Sequence, residues 1–351
     1  MGGKLLSHYD LPEKRLDPFE YFEITKEIST VLIKNNIKNI LIPSFNLKSS
    51  YGDADFLIDF DKKEDSKNWI NSLFNSSFIH SNSDVISWEY QGFQIDFIFT
   101  QEENWGTSLN YYKYSDLGNL IGRAAHSMGL KYGHRGLEFP IREKLFDESI
   151  DNNSDHVIKV LNLSKNPADI LEFLGYSWER YVQGFDTLND IFLYAVSTPY
   201  FNGYNFQLEN LNHINAVRNR KRTTFMKFLE WLKKHPEYDK QFNLGDKKNW
   251  INRIDQKWPI KEEIEKERSK FLQHKENIKK FNGNLVRYWC PGLEGKELGK
   301  VLSEFKLHRG IFSDARTFED YLQMYPAEKI KSDFFAWIKE SRVYSMSEIN
   351  S

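Results

Sequence analysis

The stretch SSYGDADFLIDF (residues 49–60) sets Asp53 and Asp55 two positions apart in an otherwise apolar run, directly after Gly52. In an extended strand residues i and i+2 share a face, so two carboxylates at this spacing stand side by side and repel unless positive charge lies between them. A divalent cation meets that need. Mg²⁺ takes oxygen ligands and keeps positions open for phosphate oxygens, and Mn²⁺ accepts the same donors. Two such ions about 3.5–4 Å apart stabilise both the attacking and the leaving oxygen in a displacement at phosphorus. Asp96 stands between Ile95 and Phe97 in FQIDFIF, where an unpaired carboxylate would be costly to desolvate and from which a neighbouring strand could deliver a third ligand. Asp59 shares the face of the first two acids but lies about 13 Å further along, at roughly 3.3 Å per residue, and reads as a solvated strand residue. The competing reading of the whole group is the wet face of an edge strand.

The flanking pattern supplies elements to hold these acids. PFEYFEITKEISTVLIKNN repeats apolar residues at three- and four-residue steps (Phe22, Ile24, Ile28, Val31, Leu32), as an amphipathic helix does. IKNILIPSF reads as a strand ending at a proline-marked turn, and GDADFLIDF as a second strand with Phe56, Ile58 and Phe60 on one face. SKNWINSLF reads as a helix, and DVISWEY and FQIDFIF, separated by Gln91 and Gly92, as a hairpin. A helix is expected from about Ser115 in YSDLGNLIGRAAHSMGL, and GLEFPIRE resumes extended structure. From NPADILEFLGY onward the periodicity is helical. The expectation is an α/β (α+β) core with a mixed sheet over residues 1–150 and an all-helical C-terminal domain over 151–351.

At this level the residues resemble a family. PSFNLKSSYGDADFLIDF is similar to the signature of the DNA polymerase β-like nucleotidyltransferases: a Gly-Ser turn, a spacer, Gly-Asp-x-Asp entering an apolar strand, and a further Asp on a later strand. Ser44, Gly52, Asp53, Asp55 and Asp96 match it. The likeness to family X DNA polymerases extends through WGTSLNYYKYSDLGNLIGRAAHSMGLKYGHRGL, similar to their nucleotide-pocket segment, and NPADILEFLGY, which resembles their closing helix; it covers roughly residues 20–180. It implies that Asp53 and Asp55 bind two Mg²⁺ (or Mn²⁺) ions, that Asp96 binds the catalytic one and assists deprotonation of the acceptor hydroxyl, and that Ser44 binds the triphosphate. Three departures stand out. Pro43 replaces the first family glycine, and the arginines usual after the serine are missing, leaving Lys48 as a cationic substitute. In the pocket the family's Tyr-Phe-Thr-Gly-Ser reads Tyr111-Tyr112-Lys113-Tyr114-Ser115, so Tyr112, Lys113 and Ser115 are nucleotide-binding candidates around a turn that has become bulky. GLEGKELGKVLSEFK is faintly like a segment of CCA-adding and poly(A) polymerases.

The chain has 351 residues, 40% apolar and 15% aromatic, ample for packed cores. No run approaches the roughly 18 apolar residues of a membrane span, and MGGKLLSHYDLPEKRLD lacks a secretory hydrophobic core, so the expected compartment is the cytoplasm, with no membrane partner. The lone Cys290 excludes an intramolecular disulfide and a cysteine-rich zinc site and reads as a small buried hydrophobe. The net charge of −2 conceals a split: residues 211–300 carry 22 Lys and Arg against 12 Asp and Glu, whereas 1–210 carry 19 against 30. Arg218, Arg220, Lys221 and Arg222 cluster beside Phe225, Phe228 and Trp231, either as phosphate contacts or as solvated cations on a helix whose aromatics are core. Tyr112 either stacks on the sugar or base or packs into the core, and His134-Arg135 either approaches the nucleotide or forms a surface turn. The expected reaction is transfer of a nucleoside monophosphate from an NTP or dNTP to a nucleic-acid 3′-hydroxyl with release of pyrophosphate, without a template. Transfer to protein or to another nucleotide, and a non-catalytic RNA-binding module, are the alternatives.

Overall fold

The computed structural model describes residues 5–151, 154–238, 242, 245, 247–308 and 314–341. Helices α1 (Leu5–His8) and α2 (Pro18–Lys34) come first. Asp17 starts α2: its carboxylate accepts the Glu20 N–H at 2.9 Å while the Glu20 side chain accepts the Asp17 N–H, and Pro18 occupies the first helical position. Five strands follow, β1 (Asn39–Leu41), β2 (Asp53–Asp59), β3 (Ile79–Asn82), β4 (Val85–Tyr90) and β5 (Phe93–Thr100), with α3 (Ser66–Phe74) between β2 and β3. They form one mixed sheet in the order β1-β2-β5-β4-β3, in which only β2 and β5 run parallel. Gln91 and Gly92 turn β4 into β5 with φ of 55° and 80°, the left-handed pair that a two-residue hairpin requires.

Period two divides the side chains of this sheet. Phe56, Ile58, Ile95 and Phe97 point to one face and pack with Ile28 and Leu32 of α2 and Ile70 of α3 in a continuous buried core. On the other face Leu57 and Ile98 are buried with Ile42 beneath Trp105, Leu109 and Tyr112 of α4 (Trp105–Tyr112), while the positions one step toward the start of β2 are acids. Asp59 ends β2. Rather than simply facing solvent, its carboxylate accepts the Asp61 N–H at 3.2 Å and caps a short 3-10 turn.

After α5 (Leu117–Ser127), strands β6 (Lys131–Gly133), β7 (Gly136–Arg142) and β8 (Val157–Ser164) make a second, three-stranded sheet. β8 corrects the expectation that everything after residue 150 is helical: VIKVLNLS carries three β-branched residues in its first four positions and pairs as a strand. Beyond it, among the described residues, the regular elements are helices: α6 (Pro167–Phe173), α7 (Trp178–Val182), α8 (Leu188–Val196), α9 (His213–Arg220), α10 (Thr223–Lys234), α11 (Lys247–Lys257), α12 (Lys261–Lys280), α13 (Gly283–Trp289), α14 (Gly295–Leu307), α15 (Phe318–Met324) and α16 (Ala327–Ser341). The chain divides into two compact units, one running to Pro140 and including Val160–Trp258, the other comprising Ile141–Lys159 and the residues from Pro259 on. The boundary read from the sequence at 150 falls inside the second unit's first segment, and α6–α11 belong to the unit of the acidic sheet. The second unit has a core of its own around Val286, Val301, Phe305, Tyr321 and Phe334, in which Cys290 is fully buried. Among the described residues no helix is long and apolar enough to cross a membrane.

Candidate metal centre

The parallel pairing of β2 with β5 sets Asp55 directly opposite Asp96 and Asp53 opposite Gln94. Each of Asp53, Asp55 and Asp96 brings a carboxylate oxygen to within 4.8 Å of the other two, and among the described residues this is the one group of three acidic, histidine or cysteine side chains so disposed. The cluster is half-buried, and the charges oppose one another. Burial first, then Asp53 and Asp96, push the Asp55 carboxyl well above the ordinary carboxylate range. Burial and Asp53 raise Asp96 to about 6, against hydrogen bonds from Ser87 and Gln94 that favour its ionised form. Three carboxylates in conflict, all offering oxygen, fit a hard divalent cation such as Mg²⁺ or Mn²⁺, whose charge would reverse those shifts. The metal-ligand reading of the three acids therefore has a geometric basis, and Asp59 stands outside the group.

Around the acids, the first unit supplies polar groups whose roles differ. Gln94, 2% exposed, donates Nε2 to both oxygens of Asp96, at 3.0 and 3.1 Å. Tyr21 and Tyr51 stack at 3.8 Å between ring centroids, and the charges of Asp55 and Asp53 add to the burial that raises the Tyr21 phenol. Lys48 lies over the Tyr51 ring at 4.5 Å; burial lowers its pKa, while Asp53 and Asp55 hold the ammonium charged. Gly52 is buried at the entry to β2. The Ser44 hydroxyl is buried and has no hydrogen-bond partner in the protein, an orphan that a bound anion could satisfy. Its loop is pinned from two sides: Tyr114 N–H donates to the Pro43 carbonyl at 2.9 Å, and Asn46 and Leu47 N–H donate to the carbonyls of Phe185 and Asp186, each at 2.9 Å.

That first tether brings the Ser44 loop to the turn that ends α4. Lys113 is half-buried, and burial lowers its ammonium pKa. Tyr114 and Ser115 both adopt left-handed backbone, with φ of 60° and 63°, so the turn keeps a glycine-like path without glycine. Packing compensates, because the Tyr114 ring meets Phe185 and Tyr181 edge-on at 4.9 and 5.4 Å. Two residues into α5, a Cβ on Gly118 would lie 2.0 Å from the Tyr111 carbonyl oxygen, so the close approach of α4 and α5 admits no side chain there. Tyr112 is half-buried on the acid face, edge-on to Tyr111 at 5.2 Å, and its phenol is pushed up to about 12 by burial, Tyr111 and Asp55. Its position thus includes both readings, part of the core and neighbour of the acids. His134 faces Tyr112 with near-parallel rings 6.2 Å apart, and its carbonyl accepts hydrogen bonds from Thr107 and Ser108, which fixes the β6–β7 turn.

The four basic candidates do not behave alike. Arg218, Arg220 and Lys221 are exposed at the end of α9, whereas Arg222 is partly buried in an ion pair with Asp116, the residue that precedes α5. Phe225, Phe228 and Trp231 are core. Sequence reading passed over Gln94, Ser87 and Tyr21. The first two carry a signal, since Gln94 is two residues before Asp96 and must share its face, but Tyr21 reaches the acids from another element. A scan against protein-family models and a search of curated proteins both found no match for this chain.

Proposed function

We propose that the protein is a metal-dependent nucleotidyltransferase of the polymerase β-like kind, moving a nucleoside monophosphate from a nucleoside triphosphate to a nucleic-acid 3′-hydroxyl. The convergence of three carboxylates from two adjacent parallel strands, within 4.8 Å, carries this reading. Asp53 and Asp55 would hold two Mg²⁺ or Mn²⁺ ions and Asp96 one of them; when bound, the ions supply charge neutralisation at the phosphates and a more acidic acceptor hydroxyl. Asp96 accepts the proton of that hydroxyl as the new oxygen–phosphorus bond forms at the α-phosphate and the bond to the pyrophosphate oxygen breaks. Ser44 Oγ, buried without a partner, donates to the triphosphate, and Lys48 lends positive charge beside Asp53 and Asp55. Lys113 and Ser115, tied to the Ser44 loop through Tyr114, line the nucleotide side together with Tyr112. The exposed Arg218, Arg220 and Lys221 contact the acceptor's phosphates. No base-reading group is needed for such an addition, and template-independent transfer is the form proposed.

Purified protein with Mg²⁺, one labelled nucleotide at a time and RNA or DNA primers, with and without a template, should extend the primer. The product ladder separates one added residue, a short fixed addition and a long tail. Asp53→Ala/Asp55→Ala should fall at least ~10³-fold, as expected when charge stabilisation at the reacting phosphate is removed. Equal activity in that variant overturns the reading. Label appearing on the protein itself, without primer, would point to protein as acceptor.

A further inference from the structure

Gln94 makes two kinds of hydrogen bond at once. Its Nε2 donates to Asp96 Oδ1 and Oδ2, at 3.0 and 3.1 Å, while its Oε1 accepts the backbone N–H of Leu5, the first residue of α1, at 3.0 Å. A carboxylate only accepts and a backbone N–H only donates, so the two partners fix the amide in one orientation. The side chain is 2% exposed, and Leu6, next to the tether, is fully buried. The same segment continues from the central strand β5 to the edge strand β3, where Tyr9 meets His80 Nδ1 at 3.1 Å and the Phe78 ring, just before β3, at 4.8 Å. His80 pairs with Ser87, which pairs with Asp96, so the row across the sheet reads Asp55, Asp96, Ser87, His80. Of the groups in this row, Asp96 alone is gripped at both oxygens by one side chain, and that side chain is held in turn by α1.

We propose that Gln94 is a positioning residue: anchored through Leu5 N–H to α1, it orients the Asp96 carboxylate toward Asp53 and Asp55, so that α1 forms part of the support of the metal centre. The inference rests on the metal-centre reading of the three acids. Partners that orient ligating carboxylates are part of a metal site, and their loss typically costs about 10- to 100-fold in metal affinity. In Gln94→Met the side chain keeps its length and loses all three hydrogen bonds. Leu5→Pro removes the N–H of the tether together with the partly buried Leu5 side chain, while proline itself is accepted at a first helical position.

The test is Mn²⁺ binding followed by electron paramagnetic resonance, with a non-hydrolysable nucleoside triphosphate analogue present and the melting temperature in EDTA measured alongside. Gln94→Met should weaken the ion that depends on Asp96 by about 10-fold or more and leave the other unchanged, with a smaller weakening in Leu5→Pro. Unaltered affinity for both ions in folded Gln94→Met overturns the proposal. If that variant does not fold, Leu5→Pro decides, and wild-type Mn²⁺ affinity in it overturns the proposal as well. Asp96→Asn separates the two layers. Wild-type Mn²⁺ binding in Asp96→Asn overturns the metal-centre reading itself, whereas loss there with none in Gln94→Met overturns only the role of Gln94.

Discussion

At Asp55 and Asp96 the native fold holds protons that the unfolded chain would release, because burial and neighbouring carboxylates raise both carboxyls. The linkage follows from the sign of these shifts. Between the unfolded value near 4 and the folded value of about 6 for Asp96, the native state binds more protons than the unfolded state, so stability falls as pH rises through that window. Metal-free protein should gain stability at pH 5 over pH 7.5 from Asp96, by about 1 kcal/mol, which corresponds to a few degrees in melting temperature. Asp96→Asn should lose most of that difference, and Mg²⁺ should raise the melting temperature of the wild type more at pH 7.5 than at pH 5. Calorimetry at both pH values, with and without Mg²⁺, checks the sign; a wild type whose pH dependence equals that of the variant contradicts it. The basic residues make a separate prediction. Replacing the exposed Arg218, Arg220 and Lys221 by Ala should lower the salt slope of single-strand binding by about 2, at roughly 0.7 per phosphate contact. Arg222→Ala should instead act on folding, because its guanidinium is spent on Asp116.

Among the elements, the turn between α4 and α5 concentrates the backbone strain near the site. A left-handed non-glycine residue costs about 1–2 kcal/mol, so Ser115→Gly should stabilise the protein by up to about 1 kcal/mol once the added freedom of the unfolded chain is counted. Tyr114→Gly would remove the same strain and yet destabilise, because the ring that packs on Phe185 and Tyr181 goes with it. Gly118→Ala should cost about 2–3 kcal/mol, since its Cβ would meet a backbone carbonyl that cannot rotate away. Thermal melts of the three variants check the ordering. The sequence made some of these elements legible and hid others, for physical reasons. The acids at every second position in the first half of β2, and Asp96 between Ile95 and Phe97 in β5, made the acidic face and the face opposite it legible, and the span of α3 followed from its 3.6-residue period. β3 was hidden because IHSN has no apolar alternation and is a strand only by virtue of pairing with β4. Gln94 was legible as a neighbour of Asp96 along the chain, but its grip on α1 depends on a tertiary approach that no local pattern encodes.

For the whole molecule, the division into units depends on which segments touch, so the boundary near 150, set where a polar turn leads into helical periodicity, does not follow the return of α6–α11 to the first unit. Among the described residues, the buried residues of the second unit's core cluster run from Phe281 to Ile338. A polypeptide starting at Pro259 should therefore give a helical circular dichroism spectrum and a sigmoidal melt, while a broad, featureless melt would show that Ile141–Lys159 is needed to complete it. In the first unit the acids depend on parity. Asp53 and Asp55 reach the same side as Asp96 only because their positions along β2 differ by two, an even offset, and because the register of β2 on β5 sets Asp55 opposite Asp96. Gaining or losing one residue directly before Asp53, with the pairing to β5 kept, would turn Phe56 and Ile58 outward and drive the carboxylates into the core between the sheet and α2. Gaining two would keep the faces but slide the pair about 7 Å past Asp96. Length variation is thus compatible with the site in the loops of the crossover between β2 and β5, where insertions and deletions leave the two strands, and the distance between their acids, untouched.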